Sequence, residues 1–147
     1  MGVTYDAGAL VAADRGERRT WARHRALLQL RQVPTVPAPV VAQAWRGGSR
    51  PARLSRFLVG CTVERLDDSQ ARRVGELLAR AALSDIVDGT VVEGALRLND
   101  LVISSDPGDL GSLSAALHRH LEVDRPSPAS TSESSSGERH LPRDACI

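Results

Sequence analysis

Between residues 67 and 82 apolar side chains recur at helical spacing: Ala71, Val74, Leu77, Leu78, Ala81 and Ala82. That pattern predicts an amphipathic helix. Asp67 with Gln70 at its start has the form of a capping box. Ser84 and Asp85 cap a second helix over 86–98. Upstream the pattern is shorter and more broken. A strand over 2–5 ends at Asp6, which is placed to cap a helix of small residues over 7–13. A longer helix over 17–32 carries Trp21, Ala22, Ala26, Leu28 and Leu30 on its apolar side. Pro34 and Pro37 bound a strand over 33–36 and argue against a long central strand. Two short helices follow, over 39–45 and 51–58, stopped by Gly47, Gly48 and Gly60. Strands over 61–64 and 101–104, a last helix over 106–117 and a final strand over 121–123 complete the pattern.

Strands alternating with helices imply an α/β sandwich with a mainly parallel sheet. In such a sheet, residues at strand exits face the open edge where sites form. After Asp124 the pattern stops. Residues 127–136 hold six serines and almost nothing apolar, so 125–147 are expected to be a disordered tail on a single domain over 1–124.

Composition narrows this picture. The 147 residues fit one domain. Aromatics are only 3%, so the core must come from Leu, Val, Ile and Ala. Net charge is +1, which excludes a global basic field. The charge is unevenly spread, however. Residues 15–56 contain ten arginines against one acid, Glu17, while 60–124 contain twelve acids against six arginines. A phosphate-binding face beside an acidic site has this character, as do two ordinary solvated helix faces. Cys61 and Cys146 have neither disulfide-framework nor zinc spacing, and no signal peptide or membrane span is visible. A cytoplasmic location is expected.

Three acids stand where chemistry is most readily built. Asp6 and Asp106 follow strands, and Asp88 falls in the first turn of the 86–98 helix. Gathered at one edge they would repel one another unless a hard divalent cation took their oxygens. Each acid also has a plainer role: Asp6 and Asp106 as helix caps, Asp88 as a favourable charge at a helix start. His118 and His120 suit a helix C-terminus better than a metal, and Trp21 and Trp45 suit the core better than base stacking.

Four segments, YDAGALVAAD, VPAPVVAQAWR, DGTVVEGA and ISSDPGDL, together resemble a PIN domain of the VapC-like toxin ribonuclease family. They span residues 3 to about 117. The resemblance implies a three-layer PIN-like α/β sandwich and a Mg²⁺- or Mn²⁺-dependent endoribonuclease. It implies an RNA substrate, an antitoxin protein as partner and a homodimer. Asp6, Asp88 and Asp106 match the family's acids and would be catalytic and metal-binding. Ala95, seven residues after Asp88, keeps the family's helix pattern; counted from Asp85 it does not. The remaining family acid falls at Gln43, which carries no charge and would act behind the metal through a bound water. Asp85, Asp109 and Ser105 are outer candidates, and Arg46, Arg50 and Arg53 are candidate RNA contacts. Gly89 stands where alanine is commoner, at some cost in helix stability.

The alternative is a PIN-fold binding module in which Gln43 has weakened or ended catalysis. A phosphoacceptor signalling domain also collects aspartates at strand ends, but it needs a lysine near them. All nineteen basic residues here are arginine.

Overall fold

Residues 1–47, 52–104 and 123–124 are described by the structure, a computed structural model. In chain order the elements are β1 (Val3–Tyr5), α1 (Ala7–Asp14), α2 (Arg18–Gln29), β2 (Thr35–Pro37), α3 (Ala38–Ala44), α4 (Ala52–Val59), β3 (Thr62–Glu64), α5 (Asp68–Ala81), α6 (Ile86–Leu98), β4 (Leu101–Ile103) and β5 (Val123–Asp124). The strands lie in the order β3-β2-β1-β4-β5, and every neighbouring pair is parallel. Helices flank this sheet as a three-layer α/β sandwich. The expected helix over 106–117 and the tail over 125–147 lie outside the described residues.

β1 is the middle strand, and all three of its side chains are buried. A parallel sheet covered on both faces favours such unbroken apolar runs. Thr4, fully buried, keeps its hydroxyl satisfied by donating to Asp100 Oδ2 at 2.9 Å. The other Asp100 oxygen accepts the Gly2 amide at 3.0 Å. Asp100 thus ties the entry of β1 to the entry of β4. A Cβ on Gly2 would come within 2.5 Å of that carboxylate, so glycine makes the close approach available.

Most boundaries shift by a residue or two from their sequence positions, and two of the shifts have a visible cause. α2 ends at Gln29, because Arg31 takes a left-handed conformation (φ 57°) and Gln32 N donates back to Leu27 O. β2 begins at Thr35, with the Pro34 carbonyl accepting the Thr62 amide at 2.8 Å. Pro34 lies before the strand and Pro37 is its last residue, so neither interrupts the middle of the strand.

α5 and α6 pack closely against each other, and Gly89 explains how. A Cβ there would lie 2.9 Å from Leu78 Cδ2 and 3.1 Å from Val74 Cγ1. The glycine that weakens α6 as an isolated helix lets it approach its neighbour.

Three of the four aromatic residues gather at one place. Trp21 meets Phe57 edge-on at 5.3 Å, and Tyr5 lies 5.2 Å from the same ring. His24 stacks on Phe57 at 4.1 Å. The Trp21 indole donates to Ala13 O at 2.9 Å, and the Tyr5 hydroxyl meets His24 Nδ1 at 3.2 Å. The cluster joins β1, α2 and α4. Trp21 is therefore core, as its spacing suggested, whereas Trp45 is 40% exposed.

Burial lowers the His24 pKa, with a hydrogen bond to the Phe57 backbone acting in the opposite direction. The unfolded chain therefore takes up the proton first, near pH 6.5. Stability from neutral His24 is complete above that pH and falls as the pH drops toward the lower folded value. We expect the melting temperature to fall between pH 7 and pH 5.5, and His24→Phe to flatten that part of the profile. Equal slopes for parent and variant would show that His24 does not set the dependence.

Candidate functional site at the strand-exit edge

β1 and β4 run side by side, with Tyr5 opposite Ile103. Their next residues, Asp6 and Ser104, therefore leave the sheet together, and the Asp6 amide donates to Ile103 O at 3.3 Å. Asp6 is 7% exposed, and Ser104 is fully buried. Asp6 Oδ1 accepts the Ala9 amide at 2.8 Å, the N-cap of α1. The capping role expected of this residue is real. It also fixes the carboxylate at the exit of the central strand.

α6 leads into β4 and must run back along the sheet to do so. Ten residues separate Asp88 from Leu98, about 15 Å of helix, whereas three strand residues span about 10 Å. The first turn of α6 therefore lies toward the strand-exit end of the sheet. Asp85 caps this helix, its Oδ1 accepting the Val87 and Asp88 amides at 2.9 and 3.0 Å. Asp85 is exposed and occupied as a cap. Asp88 is half-buried, one turn in, and its carboxylate is not the capping group.

Gln43 sits in the last turn of α3, which packs on both α1 and α6. It lines a cleft of about 570 Å³ with Ala7, Gly8, Val11, Ala12, Arg15, Glu17 and Arg46. The cleft thus begins at the turn that Asp6 caps. Of the proposed arginines, Arg46 is in this cleft. Arg53 instead lies over the turn between α1 and α2, with Nη1 3.5 Å from Arg15 O. Asp106, Asp109, Ser105 and Arg50 lie outside the described residues. Among those residues, no three of Asp, Glu, His and Cys are grouped to hold a metal ion. Asp6 and Asp88 are hard oxygen donors of the kind Mg²⁺ takes, one or two at a time, so the donor chemistry fits such an ion.

Two features were not anticipated. Arg15 lines the cleft beside Arg46. Arg19 and Arg23, one turn apart on α2, line a smaller pocket with Tyr5, Ile103 and Ser104. Their four-residue spacing, which puts side chains on one helix face, was the available signal. Cys61 offers no nucleophile, since burial pushes its thiol up to about 12.

No protein-family profile matches the chain, and no curated protein matches it. Solved structures do. VapBC2 from Rickettsia felis, bound to a promoter DNA fragment, aligns over 85% of this chain and 98% of its own at 13% identity, with a TM-score of 0.65. A toxin–antitoxin complex from Klebsiella pneumoniae aligns over 74% and 89% at 15% identity, with a TM-score of 0.57. FitAB bound to an IR36 DNA fragment aligns over 84% and 94% at 14% identity, with a TM-score of 0.58. The PIN-like fold expected from the sequence is the fold these structures share with the chain.

Proposed function

We propose, starting from this PIN-like fold, that the chain is a metal-dependent endoribonuclease and the toxin of a toxin–antitoxin pair. The observation that supports the reading is a buried carboxylate, Asp6, at the exit of the central strand of an all-parallel sheet, with Asp88 in the first turn of the helix that leads into the neighbouring strand. The structural neighbours are toxin–antitoxin assemblies, which supports an antitoxin protein as partner. Among the described residues no helix is long and apolar enough to cross a membrane.

Asp6 and Asp88 would hold Mg²⁺ or Mn²⁺, joined by Asp106. Bound there, the ion supplies an activated water and offsets the charge that develops on the phosphate. The chain's own part is to present oxygens that do not have to reorganise. Asp6 is suited to this, because its cap hydrogen bond holds the carboxylate in one orientation. Gln43 orients a water through its amide and adds no charge.

Purified protein should cleave RNA with Mg²⁺ or Mn²⁺ and stop when EDTA is added. Gln43→Glu, which restores a carboxylate, should tighten Mn²⁺ binding about tenfold. Absence of cleavage with either metal would favour the second reading, a binding module of the same fold. The exposed, uncharged Gln43 is the feature that favours that reading.

A further inference from the structure

We infer that Arg15 and Arg46, with the Gln43 amide, form a phosphate subsite for a single-stranded RNA backbone, entering beside Asp6. The inference rests on the ribonuclease reading above and names which part of the substrate the cleft takes.

The two arginines come from different elements, the end of α1 and the residue pair after α3, and line one cleft. Among the described residues neither guanidinium is in an ion pair. Glu17, the acid in the cleft, has its Oε2 taken by the Thr20 hydroxyl at 2.6 Å. That acid keeps its charge, but the two arginines outnumber it, so the lining carries net positive charge. A guanidinium presents several fixed donors to phosphate oxygens. The Gln43 amide adds N–H donors, which a glutamate there would lack. Ala7, Gly8 and Ala12 leave this wall of the cleft low, so a sugar–phosphate backbone can approach the start of α1. Arg53 contributes as a positioning residue. Its side chain lies over Gly16, where φ is +76°, and reaches the Arg15 carbonyl. The turn that carries Arg15 is thereby held. Replacement of an acid by Gln43 thus does more than remove a metal ligand: it leaves this side of the site selective for negative charge.

The test is binding of a fluorescent single-stranded RNA oligonucleotide to the full chain in EDTA, so that cleavage plays no part. Arg15→Ala and Arg46→Ala should each weaken binding about tenfold. Each should lower the slope of log affinity against log salt by about 0.7. Gln43→Glu should also weaken RNA binding, opposite to its effect on Mn²⁺. Arg15→Lys should keep the salt slope. Arg25→Ala, exposed on α2 outside the cleft, should change affinity less than twofold. Unchanged binding in both cleft variants, an equal loss in Arg25→Ala, or capture of an acidic peptide in preference to RNA would each overturn the subsite. Melting curves matching the parent's would show that the variants fold. Failure of the unaltered chain to cleave RNA would count against the ribonuclease reading alone, since the binding results do not depend on turnover.

Discussion

Asp88→Asn should bind RNA as the parent does and cleave it at least about a hundredfold more slowly at fixed Mg²⁺. The substitution removes one charge and keeps the shape. It leaves the start of α6 capped, because Asp85 accepts the two amides there. The weakened interaction with the helix dipole costs about 0.3–1 kcal/mol, and asparagine keeps an oxygen for hydrogen bonding. A loss of turnover with an unchanged melting curve would therefore report the carboxylate itself. Asp6→Asn should behave alike, since asparagine also caps a helix. Single-turnover cleavage and equilibrium binding are to be measured separately on each variant. If Asp88→Asn cleaves as fast as the parent, the carboxylate mechanism is wrong.

The second large effect concerns stability. Glu93, 6% exposed on α6, accepts from Arg73 Nε at 2.8 Å, Arg97 Nε at 3.3 Å and Gln70 Nε2 at 2.9 Å. Arg97 also donates to Glu64 Oε1 at 2.6 Å. The network joins β3, α5 and α6. Glu93→Ala would leave the Gln70 amide, which is 3% exposed, with only its longer 3.4 Å hydrogen bond to Glu64 Oε2, and would release Arg73 to water. We expect a loss of about 2–3 kcal/mol and a fall in melting temperature of about 10 °C. Glu76→Ala removes an ion pair that is about as simple on paper, but the Glu76 and Arg80 side chains are 70% and 67% exposed. That change should cost under about 0.5 kcal/mol. Equal effects from the two substitutions would mean that the Glu93 network contributes no more than a surface pair.

The same network marks the limit of what the sequence made legible. Helical spacing located α5 and α6 to within a residue, because a long amphipathic face repeats its signal. The capping box at Asp67 was half right. Asp67 Oδ1 accepts the Gln70 amide at 2.7 Å, but the Gln70 side chain turns inward to Glu93 instead of back to the cap. Which buried group a polar side chain finds, 23 residues away, leaves no local trace. That Asp6 follows the first strand and Asp88 falls in the first turn of α6 was readable. The cleft was not, because Arg15 and Arg46 meet only when α1 and α3 pack. Trp45 was misjudged as core for a related reason: apolar character says nothing about which face a two-turn helix turns inward.

The middle strand of the sheet is the first to be made, and it waits longest for its partner. Val3 pairs with Leu101 and Tyr5 with Ile103, nearly a hundred residues later. At about 5–20 residues per second, synthesis leaves β1 without that neighbour for several seconds or more. The Asp6 amide cannot find Ile103 O, nor Thr4 its Asp100, until then. A growing chain therefore cannot complete the edge that carries Asp6 while α6 and β4 are still to come. The order of the strands along the chain thus delays completion of this edge until nearly all of the described sheet has been made.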